Sequence, residues 1–497
     1  MFSFIGEGQR HNRAFIAFIV YITLFLDNML LTVIVPILPD YLSHYYSQSN
    51  TSFSIPKSVI YKNFDLHYVP KLIGASTGNV SLKSFTGSTI PQESLESENR
   101  SIGILLAVKA LVQLFFNPIV GNISSKLGYS IPIAFGTFCL FLASVIFAFG
   151  QSYASLFVAR AIHGVGSACV CVCGMSLVAQ LFTEPDKRSR IMGTILGSIA
   201  VGVLVGYPFG GIAYDIVGKA APFHILTVMC MMVLVVQMIS LDFSYRHQSS
   251  SVVADEGHSR WIPLLTDRLI LVIIGAIWIS TSAMSILEPC LPLWMISVLH
   301  PKKWQLGTVF IPDSIGYWIG TNFFGGIAYK IGQIKIAIIS LTVVGASCII
   351  IPSASSVFGL LLPHFSLGLG IGVLDAALVP LLATIVDSQC ESDNESDICE
   401  SSPNYGAVYA IQQIAVSLAY SLAPILGGEL VPWIGFPWLM RVMGLLNLAY
   451  GPFLVYSGIR ENVRCMLQKR TELPLASVEF AHANAEGSYK RLYNSTD

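Results

Sequence analysis

The sequence predicts an all-α membrane protein with twelve transmembrane helices in two six-helix halves. Three observations predict this. Of 497 residues, 54% are hydrophobic and only 11% are charged, where a soluble domain carries about 25% charged residues. The apolar residues gather into twelve runs, each near the roughly 20 residues a helix needs to cross the hydrocarbon core. The second half of the chain also repeats features of the first at matching topological positions. This composition excludes disorder, collagen and coiled coil, and argues against one large soluble domain. A formal net charge of −1 leaves no basic footprint for nucleic acid.

The runs lie at 15–38, 101–120, 130–150, 153–182, 190–214, 222–242, 269–297, 305–329, 334–353, 356–386, 405–431 and 436–457. The first is too long for a signal peptide and holds Asp27 near its middle. Loop charge sets the orientation. Arg10 and Arg13, Lys126, Lys187, Arg188 and Arg190, Lys330 and Lys335, and Arg460, Arg464, Lys469 and Arg470 all fall on one side if both termini are cytoplasmic. The opposite short loops hold Lys219, Lys302 and Lys303.

The domains follow from these spans. They are a cytoplasmic N-terminus (1–14), an N-terminal half (15–243), a cytoplasmic linker (244–267), a C-terminal half (268–458) and a cytoplasmic tail (459–497). The luminal loop at 40–100 carries the sequons Asn50-Thr51-Ser52 and Asn79-Val80-Ser81, so Asn50 and Asn79 are expected to be glycosylated. Asn122-Ile123-Ser124 lies on the cytoplasmic side and should stay unmodified. Residues 387–404 read as a short acidic loop, solvated rather than calcium-binding. Cys169, Cys171 and Cys173 spread around one helix and read as small packing residues, so no metal site and no cofactor is expected.

The internal repeat is legible in two places. Residues 121–128 read Gly-Asn-Ile-Ser-Ser-Lys-Leu-Gly, and residues 325–332 read Gly-Gly-Ile-Ala-Tyr-Lys-Ile-Gly. Each follows the second span of its half. The fifth span holds Pro208-Phe209-Gly210-Gly211, and the eleventh holds Pro424-Ile425-Leu426-Gly427-Gly428. A duplicated bundle suits alternating access, in which one half rocks against the other around a midplane site.

Six ionisable residues fall inside the spans: Asp27, Lys109, Arg160, Glu288, Asp313 and Asp375. Such residues are costly in a bilayer and read as functional. Asp27 lies about 18 Å along its helix, near the midplane, with Asn28 beside it. Glu288 shares a stripe with Trp278, Thr281 and Ser285 and precedes Pro289, which lets the helix bend. Tyr317 lies one turn beyond Asp313, and Tyr409, Gln413, Ser417 and Tyr420 line one face of the eleventh span. Arg160 is expected to pair with Asp375 or another acid. Four acids against two bases leave at least two carboxyl groups without a basic partner. Burial disfavours their charged form, so each takes up a proton or a cation in its place. That competition is the physical basis of proton–cation antiport. Trp294, Tyr317 and Tyr420 could add cation–π attraction, or simply pack. His163, one turn after Arg160, reads either as a proton relay or as a satisfied core histidine.

The run Leu24-Phe25-Leu26-Asp27-Asn28-Met29-Leu30-Leu31-Thr32, continuing to Val35-Pro36-Ile37-Leu38-Pro39, resembles the first helix of vesicular amine transporters in the major facilitator superfamily. The stretches Lys303-Trp304-Gln305-Leu306-Gly307, Ile319-Gly320-Thr321-Asn322, Leu287-Glu288-Pro289, Gly202-Val203-Leu204-Val205-Gly206 and Gly435-Phe436-Pro437-Trp438-Leu439-Met440 are similar as well. The likeness covers nearly the whole chain and favours the monoamine branch over the acetylcholine branch.

This resemblance implies the major facilitator fold. It also implies uptake of a cytosolic cationic monoamine (serotonin, dopamine, histamine or similar) into acidic synaptic or secretory vesicles, in exchange for luminal protons. Asp27, Asn28 and Glu288 would receive the amine, with Trp294, Tyr317 and Tyr420 around it. Lys109, Arg160 and Asp375 would serve coupling and gating. The sequence departs from the family pattern at several positions. Gln413 stands where the family has an acid that pairs with the lysine of the second helix, so Lys109 is expected to turn to Asp27 or Asp313. Asp313 replaces a small apolar residue, His163 a glutamine, Tyr207 a proline, Thr281 an asparagine, Val416 an aromatic residue and His300 a disulfide cysteine. The alternatives are a vesicular acetylcholine, polyamine or broad organic-cation carrier, or a transport-dead scaffold. No enzyme motif is present, and a monomer in the lipid bilayer is expected. Tyr489-Lys490-Arg491-Leu492 fits a sorting signal, a pattern that is common by chance.

Overall fold

A computed structural model describes residues 13–34, 37, 92–241, 243, 261–301, 303–394 and 403–456. Asn50, Asn79 and residues 489–492 lie outside them, as do residues 38–91, most of residues 244–267 and all of residues 459–497. Twelve long helices are formed among the described residues. They are α1 (Arg13–Val33), α2 (Gln92–Leu127), α3 (Ser130–Phe149), α4 (Tyr153–Leu181), α5 (Pro185–Val217), α6 (Ala221–Ser240), α7 (Arg268–Val298), α8 (Ile311–Ile331), α9 (Gln333–Ile350), α10 (Val357–Asn394), α11 (Tyr405–Ile434) and α12 (Phe436–Tyr456).

Ten of the twelve are long and apolar enough to cross a membrane by length and composition alone. The other two are α2 and α8. The first carries Lys109, Gln113 and Asn117; the second carries Asp313, Asn322 and four glycines. Large apolar side chains such as Phe115, Val217, Phe358, Leu362 and Trp433 stand exposed. In water these would promote association; against lipid they meet a solvent like themselves, while each helix satisfies its own backbone.

Local chemistry explains the helix ends. Asp267 caps α7, accepting from the backbone N–H of Leu269 at 2.8 Å and Ile270 at 3.2 Å. Asn404 caps α11, accepting from Ala407 N–H at 3.2 Å. The repeat identified in the sequence has a geometric counterpart. Its closing glycines, Gly128 (φ 74°) and Gly332 (φ 117°), both hold positive φ between consecutive helices, where a Cβ would be strained. The acidic segment read as a loop from residue 387 instead continues α10 to Asn394. Asp387 is tied down there and extends the helix, as described below.

The chain divides into two compact units, residues 1–174 with 198–246, and residues 175–197 with 247–497. In the first unit, α5 lies on α1 through Gly202, Gly206 and Gly210, one turn apart. A Cβ at these positions would meet the Phe25 carbonyl oxygen, the Thr32 hydroxyl and the Val33 carbonyl oxygen respectively. Membrane helices associate by such close backbone approach, because lipid tails supply no hydrophobic drive. Phe147 of α3 stacks on Phe223 of α6 with ring centroids 5.3 Å apart. Gln237 of α6 donates to Thr23 of α1 at 2.8 Å.

The second unit uses the same device reciprocally. Gly316 and Gly320 of α8 face carbonyls of Phe365 and Leu369 on α10, while Gly368 and Gly372 of α10 face carbonyls of Asp313 and Tyr317. Its apolar core gathers Leu287, Leu291, Trp294, Met295, Val344, Leu367, Phe436 and Met440. The short stretch 175–197 joins this unit through α5. Arg188, fully buried, donates to Asp387 at 2.7 Å and to Thr384 at 2.9 Å. Tyr409 donates to the Val379 carbonyl at 3.2 Å and approaches the Met192 sulfur at 3.4 Å.

Candidate functional site

The first unit assembles a charged cluster around Asp27, which is 1% exposed at the middle of α1. Its Oδ1 accepts from the Ser167 hydroxyl and lies 3.1 Å from His163 Nε2. Its Oδ2 has no hydrogen bond and faces Lys109 Nζ at 3.6 Å. That separation is well beyond the roughly 2.7–2.9 Å of a charge-assisted hydrogen bond. The carboxylate is therefore gripped on one oxygen and loosely held on the other. Lys109 does turn to Asp27, one of the two acids expected to replace its absent partner, and Gln413 is buried on α11.

Arg160 is fully buried on α4 but does not take an acid among the described residues. Its Nη2 donates to the Leu31 carbonyl at 3.4 Å, while Nε and Nη1 have no hydrogen bond. Tyr207, at the position of the family's proline, is close enough to act on it electrostatically. Asp375, in the second unit, accepts from the Tyr317 hydroxyl at 2.8 Å.

The second unit holds the remaining acids. Asp313 is buried one turn before Tyr317 on α8, and its Oδ1 has no hydrogen bond. Glu288 on α7 is near enough to Asp313 to interact electrostatically, and Tyr420 on α11 likewise acts on Tyr317. The Asp375 Oδ1 is also without a hydrogen bond. Among the described residues, no basic side chain forms an ion pair with Glu288, Asp313 or Asp375. At buried polar atoms of this kind a ligand, water or proton can supply the missing hydrogen bond.

Two expected site residues have other partners in this arrangement. The Asn28 side chain donates back to the Leu24 carbonyl at 2.9 Å. Trp294 packs into the apolar core with its ring 5.2 Å from Phe436. Ser167 was not singled out from sequence, although Arg160, His163, Ser167 and Cys171 follow helical spacing and mark one stripe of α4. Arg188 was read only as a loop charge. Among the described residues no group of three or more His, Cys, Asp or Glu is gathered to hold a metal.

Twelve long helices among the described residues, with buried carboxyl groups that have no basic partner there, fit a membrane transporter, and residues 17–395 match the family model of the Major Facilitator Superfamily. The chain is 37% identical over 474 residues to the synaptic vesicular amine transporter of Rattus norvegicus, covering 90% of this chain and 89% of that one. It is 32% identical over 450 residues to the vesicular acetylcholine transporter of Tetronarce californica, covering 90% and 81%. The crystal structure of the human organic anion transporter MFSD10 shares the fold, with a TM-score of 0.67 at 15% identity over 89% of this chain and 99% of that one. The chain belongs to the vesicular amine transporter family of the major facilitator superfamily.

Proposed function

We propose that the protein loads a cationic monoamine from the cytosol into acidic vesicles in exchange for luminal protons, by alternating access. The observation that carries this reading is the trio Glu288, Asp313 and Asp375, three intramembrane carboxyl groups with no basic partner among the described residues. Each can hold a proton, and Glu288 an organic ammonium in its place, since a charged carboxylate in a low-dielectric site needs one or the other. Asp27 adds an open oxygen, Oδ2, to which an ammonium can donate once Lys109 moves aside.

In this reading Asp27, Asn28 and Glu288 bind the amine, and Tyr317 and Tyr420 border it. Lys109, Arg160, Asp313 and Asp375 set which charge state accompanies each conformation. Both termini face the cytosol, and the protein works in the vesicle membrane.

The test is uptake of labelled serotonin into proteoliposomes acidified inside. Asp27→Asn and Glu288→Gln should each lower uptake by at least tenfold, because each removes a carboxylate that balances the ammonium. Undiminished uptake in both variants would move the binding site elsewhere. Competition by dopamine, acetylcholine and spermidine separates the monoamine reading from a choline-ester or polyamine carrier. Dopamine should compete, and the other two should not.

A further inference from the structure

We infer that His163 is the proton-accepting partner of Asp27, so that proton and amine compete for this one carboxylate within the first unit. The inference rests on the antiport reading above and names a coupling group within it.

His163 is fully buried on α4 and presents Nε2 to Asp27 Oδ1 at 3.1 Å. A neutral imidazole carries one N–H and one lone pair. With the N–H on Nε2 donated to the carboxylate, Nδ1 is left as a buried acceptor, and it has no hydrogen-bond partner. A proton arriving there binds the Nδ1 lone pair and makes an imidazolium that keeps its bond to Asp27. No other bond is broken.

The charge balance then decides what else Asp27 can hold. The groups that face the pair are Lys109 from α2, Ser167 and Cys171 from α4, Cys230 from α6, and Arg160 one turn earlier on α4. Lys109 and Arg160 are cationic, and Ser167, Cys171 and Cys230 are neutral. Asp27 contributes a single negative charge. With His163 neutral, an ammonium can take Oδ2 in place of Lys109, one cation for another. With His163 protonated, the imidazolium adds a further positive charge 3.1 Å from Oδ1, which opposes an ammonium at Oδ2. Proton on His163 and amine on Oδ2 therefore exclude each other. Gln413 cannot titrate, so this exchange needs no acid on α11 at that position.

The experiment uses the full chain in proteoliposomes with labelled serotonin. Accumulation at steady state is measured against imposed pH differences for the wild type, His163→Gln and His163→Asn. Both variants retain a group able to hydrogen-bond Asp27 but take no proton. If His163 is the coupling group, the slope of log accumulation against pH difference falls by one in the variants, about a tenfold smaller gradient per pH unit. A wild-type slope in either active variant overturns the proposal, because a packing histidine leaves stoichiometry unmoved. Should both variants be inactive, the wild type decides. Serotonin binding to the wild type in detergent must release protons, and binding without proton release also overturns it. Absence of serotonin uptake by the wild type at any gradient defeats the antiport reading itself.

Discussion

A carboxylate with one oxygen held and the other open is a different chemical object from one that is doubly paired, and Asp27 is of the first kind. Ser167 and His163 fix the rotamer, while Lys109 neutralises at 3.6 Å without a hydrogen bond. The sequence placed Asp27 in the membrane but did not say which oxygen meets which partner. Trp294 makes the complementary point. An aromatic residue near an acid suggests cation–π contact, yet its ring sits in an apolar core against Phe436. A helix that is apolar almost all round does not announce which side is core. Tyr317 offers a direct check at this scale. Tyr317→Phe leaves both Asp375 oxygens without a hydrogen bond, and a bond to such a group is worth about 1.5–3 kcal/mol. The purified variant should melt about 1–3 °C below the wild type; an unchanged transition would mean that the pair contributes nothing.

Helix pairs are held by where side chains are missing. On α8 and α10 the glycines alternate, each facing a carbonyl of the other helix. A Cβ at Gly320 would press on the backbone around Leu369 and Val373, whereas one at Gly211 of α5 meets nothing within 4 Å. Gly320→Leu should therefore cost about 1–3 kcal/mol or more through overpacking, while Gly211→Leu should stay within about 0.5 kcal/mol. Melting curves of the two detergent-purified variants test the contrast, and equal losses would refute the close-approach account. The helices α2 and α8 illustrate how much of an element was legible. Their runs were recognisable as spans, yet their polar residues reduce apolarity because they serve interior contacts instead of lipid.

At the scale of the whole molecule, residues 175–197 group with the second unit although they connect helices of the first half of the chain. The buried Arg188 contributes to that attachment through its hydrogen bonds to Asp387 and Thr384. Breaking a buried ion pair from one side costs about 3–5 kcal/mol, and the partial exposure of Asp387 puts the expectation at the lower end. Arg188→Gln should speed amide hydrogen exchange in residues 185–197 and leave α3 and α6 unchanged. Equal exchange in both proteins would show that the pair does not hold the segment. The acidic tract beginning at Asp387 looked like a solvated loop from composition. Its first residues are helical because Asp387 accepts from Arg188 and Tyr405, and so has reason to stay ordered.

The amino-acid sequence alone determined the number of long helices, the duplication and the identity of the intramembrane charges. Apolar length and the cost of a charge in lipid are properties of a segment and its solvent, so they can be read without knowing any neighbour. Only the tertiary structure decided that Lys109 goes to Asp27, that Arg160 settles for a backbone carbonyl, and that Asp375 takes a tyrosine. Those choices depend on helix rotation and on side-chain reach across a few ångströms, which the order of residues along one chain does not contain.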